Sequence, residues 1–533
     1  MFDAIELVLG LLVAVAALAY VAQRTRLPLP ILLVIGGLLL GLIPGLPKIR
    51  LEPELVFLLF LPPLLYPAAV LTSWRDFRAN LRPIAFLAIG LVLFTTCLVG
   101  WLAPHFILGL PLASAFVLGA IISPPDAVAA TAITERLQVP RRIVTVLDGE
   151  SLVNDATALV AYQFAVAAVV TGKFSLAQAG LEFFVIGIGG ILVGLAIGWL
   201  GTWVTARLDD PAIQITVSLL IPYTAYLAGE KMHVSAVLAV VTAGLYFGWR
   251  APEIIDSRMR LRAYPFWDMI VFLLNGFIFI LIGLQLPEII VGLKGESLGS
   301  LADLAGDALI FSALVVVIRI VWVFAATYLP RFVFKSIRDA DPYPSWKNVA
   351  IVAWTGMRGV VSLAAALALP TVTKAGTPFP GRNLILFFTF TIILSTLVLQ
   401  GLSLPAIIRW LGVVSDGEAD REEHQARRLA NEAALARVDE IATVEGVARE
   451  TVERLRVEYL ERIRQLEVSE RIIAHESLED YTTDYQRLQY EALIVERKTV
   501  VRLRNKGVIN DAVMRTIEHD LDLAEARLRQ ERD

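Results

Sequence analysis

From its first residues to about position 412 the chain alternates long apolar runs with short polar links. A helix of about twenty apolar residues crosses the roughly 30 Å hydrocarbon core of a bilayer. The runs predict about thirteen spans, at 4–22, 29–46, 55–73, 83–103, 112–134, 144–170, 180–206, 213–229, 232–249, 266–286, 304–329, 347–371 and 383–412. The short link at Glu230 and Lys231 is the least marked boundary. After Leu411 the pattern changes. Residues 413–533 hold 20 basic and 28 acidic side chains and no proline. Apolar positions there recur at helical spacing in three sets. The first is Ile441, Val444, Ala448, Val452, Leu455, Tyr459, Ile463 and Leu466. The second is Tyr481, Tyr485, Leu488, Ala492 and Val495. The third is Val513, Ile517, Leu521, Ala524 and Leu528, with Asn510 placed to cap it. The expected architecture is an all-α polytopic membrane protein with a transmembrane domain at 1–412 and an amphipathic helical domain at 413–533.

Loop charge orients these spans. With the N-terminus outside, the inside loops hold Arg24, Arg26, Arg75, Arg78, Arg82, Arg136, Arg141, Arg142, Arg207, Arg250, Arg258, Arg260, Arg262, Arg331, Lys335, Arg338, Lys347 and Arg409. The outside loops hold Lys48, Arg50, Lys173, Lys231, Lys294, Lys374 and Arg382. Eighteen against seven obeys the positive-inside rule and places the charged C-terminal domain in the cytoplasm of a plasma-membrane protein.

Composition narrows the chemistry. A mean hydropathy of +0.66 fits a membrane protein, and a net charge of −4 gives no footprint for nucleic acid. The single cysteine, Cys97, excludes an internal disulfide and reads as a small core residue. The five histidines form no close-spaced metal pair. The start is acidic, with Asp3 and Glu6, and no clear small-residue cleavage site follows the first run, so it reads as a retained span and not a cleaved signal.

Ionisable groups inside a bilayer are costly, so each one in a span is a functional candidate. The fifth span contains Ser123-Pro124-Pro125-Asp126. Two consecutive prolines remove two amide donors and push the preceding residues out of the α region. The helix is expected to break there, leaving free carbonyls beside Asp126. Such backbone is tolerated at that depth only inside protein or beside water, and discontinuous helices carry the ion sites of transporters. The sixth span contains Gly149-Glu150-Ser151-Leu152-Val153-Asn154-Asp155. One-turn spacing sets Glu150 below Asn154 and Ser151 below Asp155. Carboxylate, hydroxyl, amide and carbonyl oxygens together suit a hard cation such as sodium. Two arginines stand ready to balance the charge, Arg319 in the eleventh span and Arg358 in the twelfth, and Glu150 is assigned to Arg319. Spans five and twelve are seven apart and run in opposite directions, each with an irregular, charged centre. An inverted-topology repeat, spans one to six against eight to thirteen, has this pattern.

Together Ser123-Pro-Pro-Asp-Ala-Val-Ala-Ala-Thr131, Gly149-Glu-Ser-Leu-Val-Asn-Asp-Ala156, Arg319 and Met357-Arg-Gly-Val-Val361 resemble the monovalent cation/proton antiporter family. Leu61-Pro-Pro-Leu-Leu-Tyr66 and Thr72-Ser-Trp-Arg-Asp-Phe-Arg78 resemble its bacterial sodium/proton exchanger branch with a cytoplasmic tail. The resemblance implies a homodimer with crossed broken helices five and twelve, a moving core domain and a dimerisation domain. It implies that Asp155 binds cation and proton in turn, with Ser151, Asp126 and the carbonyl near Pro125 coordinating. Glu150 and Arg319 match the family's structural ion pair. Asn154 matches the residue that replaces a second aspartate in electroneutral members. No cofactor is implied, since sodium and protons are cargo. The chain departs from the pattern at Pro67, where several relatives carry a glutamate. A potassium/proton antiporter is the alternative of the same mechanism. An intramembrane aspartyl protease would also set two aspartates at mid-membrane, but the chain lacks a Gly-x-Gly-Asp motif and carries buried arginines that fit it poorly. The expected product is a transporter and not an enzyme.

Overall fold

The computed structural model describes residues 2–25, 27–43, 56–107, 109–126, 130–131, 133–134, 137–293, 301–374, 376–414, 417–444, 448–474 and 492–500, with residues 502–503, 506, 517 and 521–525. Among the described residues the regular structure is helical, apart from one isolated bridge between Val372 and Pro378. The chain forms two compact units, Met1–Asp416 and Gly417–Asp533.

In the first unit the helices are α1 Phe2–Thr25, α2 Leu29–Gly41, α3 Val56–Leu71, α4 Trp74–Ala79, α5 Leu81–Phe106 and α6 Leu112–Ile122. They continue as α7 Arg141–Thr171, α8 Leu176–Thr205, α9 Pro211–Lys231, α10 Ala236–Ile254, α11 Ser257–Leu293 and α12 Leu301–Val333. Then come α13 Lys335–Ala340, α14 Trp346–Trp354, α15 Val360–Leu367 and α16 Arg382–Leu411. Eight of these are long and apolar enough to cross a membrane, and α2, α3 and α6 are shorter apolar helices. The run predicted at 232–249 is α10, and the run at 347–371 is the pair of half-helices α14 and α15.

Local chemistry sets these limits. Ser73, Ser175, Asp210 and Ser235 cap α4, α8, α9 and α10 by accepting from backbone amides inside the first turn. The least marked boundary, after Lys231, is a tight turn with His233 at φ +55°. Gly172 at φ +68° ends α7, and its amide closes on Ala168 O at 3.0 Å. The first turn of α3 is a wide π turn, Val56–Phe60, directly before Pro62 and Pro63. Gly190 and Gly194 let α8 lie against α10: a β-carbon at Gly194 would stand 2.5 Å from Ala239 O.

Three apolar clusters make the core, the smallest of them Leu87, Leu91, Val146, Val323, Val349 and Ala353, and two are large. One joins α1, α2, α6, α11, α12 and α16 with Ile143 and Leu147 of α7. The other joins α3, α9 and α10 with Leu152 and Ala156 of α7. Helix α7 therefore belongs to both, and its middle lies on their seam. Cys97, expected in the core, is exposed on α5 instead. An apolar helix carries outward-facing apolar residues as readily as inward ones when its surroundings are lipid.

In the second unit α17 Glu418–Val444 and α18 Arg449–Ala474 pack together. The periodic set expected across 441–466 is thus divided between two helices. Ala492 and Val495 lie in a helix at 492–500, and Leu521 and Ala524 in one at 521–525. Tyr481, Tyr485, Leu488, Asn510, Val513 and Leu528 lie outside the described residues.

Candidate functional site

Helix α6 stops at Ile122, as the two prolines require, and Ser123-Pro124-Pro125-Asp126 leaves it as non-helical backbone. The twelfth run breaks between Trp354 and Val360. The two breaks lie against each other. The Asp126 amide donates to Met357 O at 2.7 Å, and Arg358 Nε donates to Ile122 O at 3.0 Å. The glycine at 359 makes this approach possible, because a β-carbon there would overlap the Asp126 carboxylate. Gly356 likewise leaves room for the Arg319 side chain.

Three predicted residues do more, or other, than the sequence suggested. The carbonyls expected to be free are occupied: Asn154 Nδ2 donates to Pro125 O at 2.7 Å, and Ile122 O is held by Arg358. Asn154 is therefore a strap across the break, and its Oδ1 has no hydrogen-bond partner among the described residues. Arg358, expected to balance a carboxylate, forms no ion pair with a described carboxylate. It is buried and donates to the carbonyls of Ile122 and Gly356. A carbonyl end of a helix carries partial negative charge, so the guanidinium neutralises a broken helix end.

Glu150 and Arg319 form a closed pair. Arg319 Nη1 lies 2.5 Å from Glu150 Oε1, and Nη2 lies 2.9 Å from Oε2. Nη2 also donates to Val352 O at 3.1 Å, which ties α7, α12 and α14 together. The two side chains are 2% and 0% exposed. Two parallel charge-assisted bonds are the strong form of this contact.

Asp155 lies five residues farther along α7 in a different setting. It lines a cavity of about 740 Å³ together with Asp126, Ser151 and the Pro125 backbone segment. The cavity runs to Leu71, Thr72 and Tyr264; Leu71 and Tyr264 are solvent-exposed, so it opens at the surface beside the end of α3. Its far wall carries Tyr66, Pro67, Trp267 and Asn275. Tyr66 and Trp267 pack with ring centroids 5.6 Å apart, and Trp267 Nε1 donates to Ser218 Oγ at 3.2 Å. Among the described residues Tyr66 OH, Asn275 Oδ1 and Ser362 Oγ are buried polar atoms with no hydrogen-bond partner, and all three residues line this cavity. The site thus offers two carboxylates, a hydroxyl and further neutral oxygens around one space. That donor set suits a hard, weakly held cation.

Sequence reasoning passed over Thr131, the last residue of the fifth-span motif, and Asp148, which directly precedes the sixth-span motif. Thr131 Oγ1 donates to Asp148 Oδ1 at 2.8 Å, and both line the cavity below Asp155. It also passed over Asn275 and Ser362, which sit in apolar runs without a motif around them.

Comparisons with known proteins place the chain in a family. The sequence profile of the transmembrane sodium/hydrogen exchanger family matches residues 10–410. An uncharacterized Na(+)/H(+) exchanger of Mycobacterium tuberculosis is 39% identical over 98% of this chain and 97% of its own length. A sodium, potassium, lithium and rubidium/H(+) antiporter of Bacillus subtilis is 35% identical over 76% of this chain and 61% of its own. The solved structure of a sodium proton antiporter from Methanocaldococcus jannaschii matches with a TM-score of 0.56 at 21% identity, covering 76% of this chain and 98% of that one. The matched span of 10–410 includes both helix breaks and all of α7, and the chain belongs to the sodium/hydrogen exchanger family of secondary transporters.

Proposed function

We propose that this chain exchanges sodium for protons across the plasma membrane, one for one and without net charge, by alternating access. The observation that carries this reading is the open cavity that reaches Asp155, Asp126 and Ser151 at the helix break. A carboxylate in a low-dielectric site disfavours its bare charge, so it holds either a proton or a cation. Asp155 is assigned as the carrier. Asp126, Ser151 and the backbone near Pro125 complete the cation's shell. Asn154 cannot titrate, so a single proton moves per cycle. Glu150–Arg319 holds the core together, and Arg358 neutralises the broken end of α6.

The cavity mouth lies among chain segments that the loop charges put on the cytoplasmic side, so this is the inward-open state. A proton leaving Asp155 for a cation there, and the reverse exchange on the other side, gives antiport. The empty, charged site crosses poorly, and this couples the two fluxes. Two such chains form a homodimer in this reading. Residues 1–412 form the exchanger domain and 413–533 a cytoplasmic helical domain.

Potassium/proton exchange at the same site is the second reading. It is favoured by the missing third-span glutamate at Pro67 and by the broad cation range named for the Bacillus relative. The test is dequenching of a pH dye in proteoliposomes with sodium, lithium and potassium added separately. A sodium response above potassium supports the first reading. A larger potassium response assigns the second, and no response to any of the three overturns both.

A further inference from the structure

Away from the ion cavity, three arginines converge on one carboxylate. Arg82 opens α5, Arg142 lies in the first turn of α7, Arg331 ends α12, and Asp341 follows α13. Arg82 Nη2 and Arg331 Nη2 each lie 2.6 Å from Asp341 Oδ2. Arg142 Nη2 lies 2.9 Å from Oδ1 and 3.0 Å from Oδ2, and its Nε donates to Asn80 Oδ1 at 3.1 Å. Arg331 Nε also donates to Asp341 O at 3.1 Å. Arg331 is 5% exposed. Among the described residues no second carboxylate pairs with any of the three. Three guanidiniums thus share one negative charge in a partly desolvated place, where like charges repel more strongly than in water.

The same three arginines rim a pocket of about 100 Å³. Apart from Thr327 and Asn348 the rest of its wall is apolar and includes Phe86, Val146, Val323 and Val352. The guanidinium fork matches the oxygens of a phosphate, and basic pockets between membrane helices suit anionic lipid headgroups. A free phosphate would use only the rim. A lipid uses both parts, with phosphate on the arginines and the start of an acyl chain in the slot.

We propose that this pocket binds the phosphate headgroup of an anionic phospholipid and the first methylene groups of its chain. The bound lipid braces α5, α7, α12 and α14 near the end of α7 that carries the Glu150–Arg319 pair. The proposal does not depend on which cation is transported, and its test uses no transport.

The experiment is thermal melting of the full chain in detergent after delipidation, with phosphatidylglycerol, phosphatidylcholine or inorganic phosphate added. Each variant is compared with its own lipid-free melting temperature, so a lower baseline does not enter. The expected shift with phosphatidylglycerol is roughly twofold or more that with phosphatidylcholine, with no shift from millimolar phosphate. Arg82→Gln with Arg142→Gln should reduce the phosphatidylglycerol shift to the phosphatidylcholine level. Arg142→Gln alone, at a half-exposed position, should reduce it in part and serves if the double variant does not fold. Arg141→Gln, at a residue paired with Asp76, should leave it unchanged. Equal shifts from both lipids, a full shift kept in Arg142→Gln, or a phosphate shift matching that of phosphatidylglycerol would each overturn the proposal.

Discussion

Glu150 and Asp155 stand five residues apart on the same helix, and the fold treats them in opposite ways. Glu150 is sealed by a bidentate arginine and has no access to the cavity. Asp155 lines an open cavity with Asp126 and Ser151 beside it. The difference is one of partner and access, not of residue chemistry. A carboxylate locked to a fixed cation is a girder. A carboxylate whose counter-ion must arrive from solution is a binding site.

The largest effect that would break this contrast is at the open carboxylate. Asp155→Asn keeps the shape but removes charge and titration. Exchange in proteoliposomes should fall to background while the protein still folds and reaches the membrane. Sodium-dependent proton movement near the parent rate would sink the assignment and make Asp126 the leading carrier.

The sealed pair should fail in stability before it fails in chemistry. Glu150→Ala or Arg319→Ala strands a buried charge, which costs about 3–5 kcal/mol. The double variant should lose less than the sum of the two. Melting in detergent reads this, and unchanged melting of both single variants would contradict the role.

Between the two lies the strap. Asn154→Ala leaves the Pro125 carbonyl without its side-chain donor, a loss of about 1–3 kcal/mol. The break should loosen, so sodium affinity should weaken along with stability. A stable variant with parental sodium affinity would show that the strap does not shape the site.

Competition at one carboxylate fixes the sign of the pH response. Below the pH at which the site titrates, the sodium concentration for half-maximal exchange should rise about tenfold for each unit that the pH falls. A pH-independent sodium affinity across that range would separate the proton site from the cation site. The smallest effect is expected from the second unit. Removing residues 420–533 should leave a folded protein that still exchanges, with a changed rate or pH response. A well-folded truncation with no exchange would refute the division of roles.

Much of this was legible along the chain. Apolar runs marked the helices because a span must satisfy its own backbone and present apolar side chains to lipid. Pro124-Pro125 marked the first break, because two missing donors remove amide bonds that would carry α6 past Ile122. The spacing of Glu150, Ser151, Asn154 and Asp155 put them on adjacent faces of one helix. The charged composition after Leu411 marked the change of environment.

Only the tertiary structure decided the rest, since spacing along one helix does not say what faces it. It gave the Glu150–Arg319 pair, already assigned from the sequence, its two-bond geometry, and it gave Asp155 the cavity. It set the Asn154 side-chain amide against Pro125 O, and the Arg358 guanidinium against the end of α6. It brought Arg82, Arg142 and Arg331 from three separate parts of the chain onto Asp341. The physical reason is common to all of these. Helical periodicity is a short-range property of the backbone, whereas pairing, burial and access depend on which distant segment packs opposite.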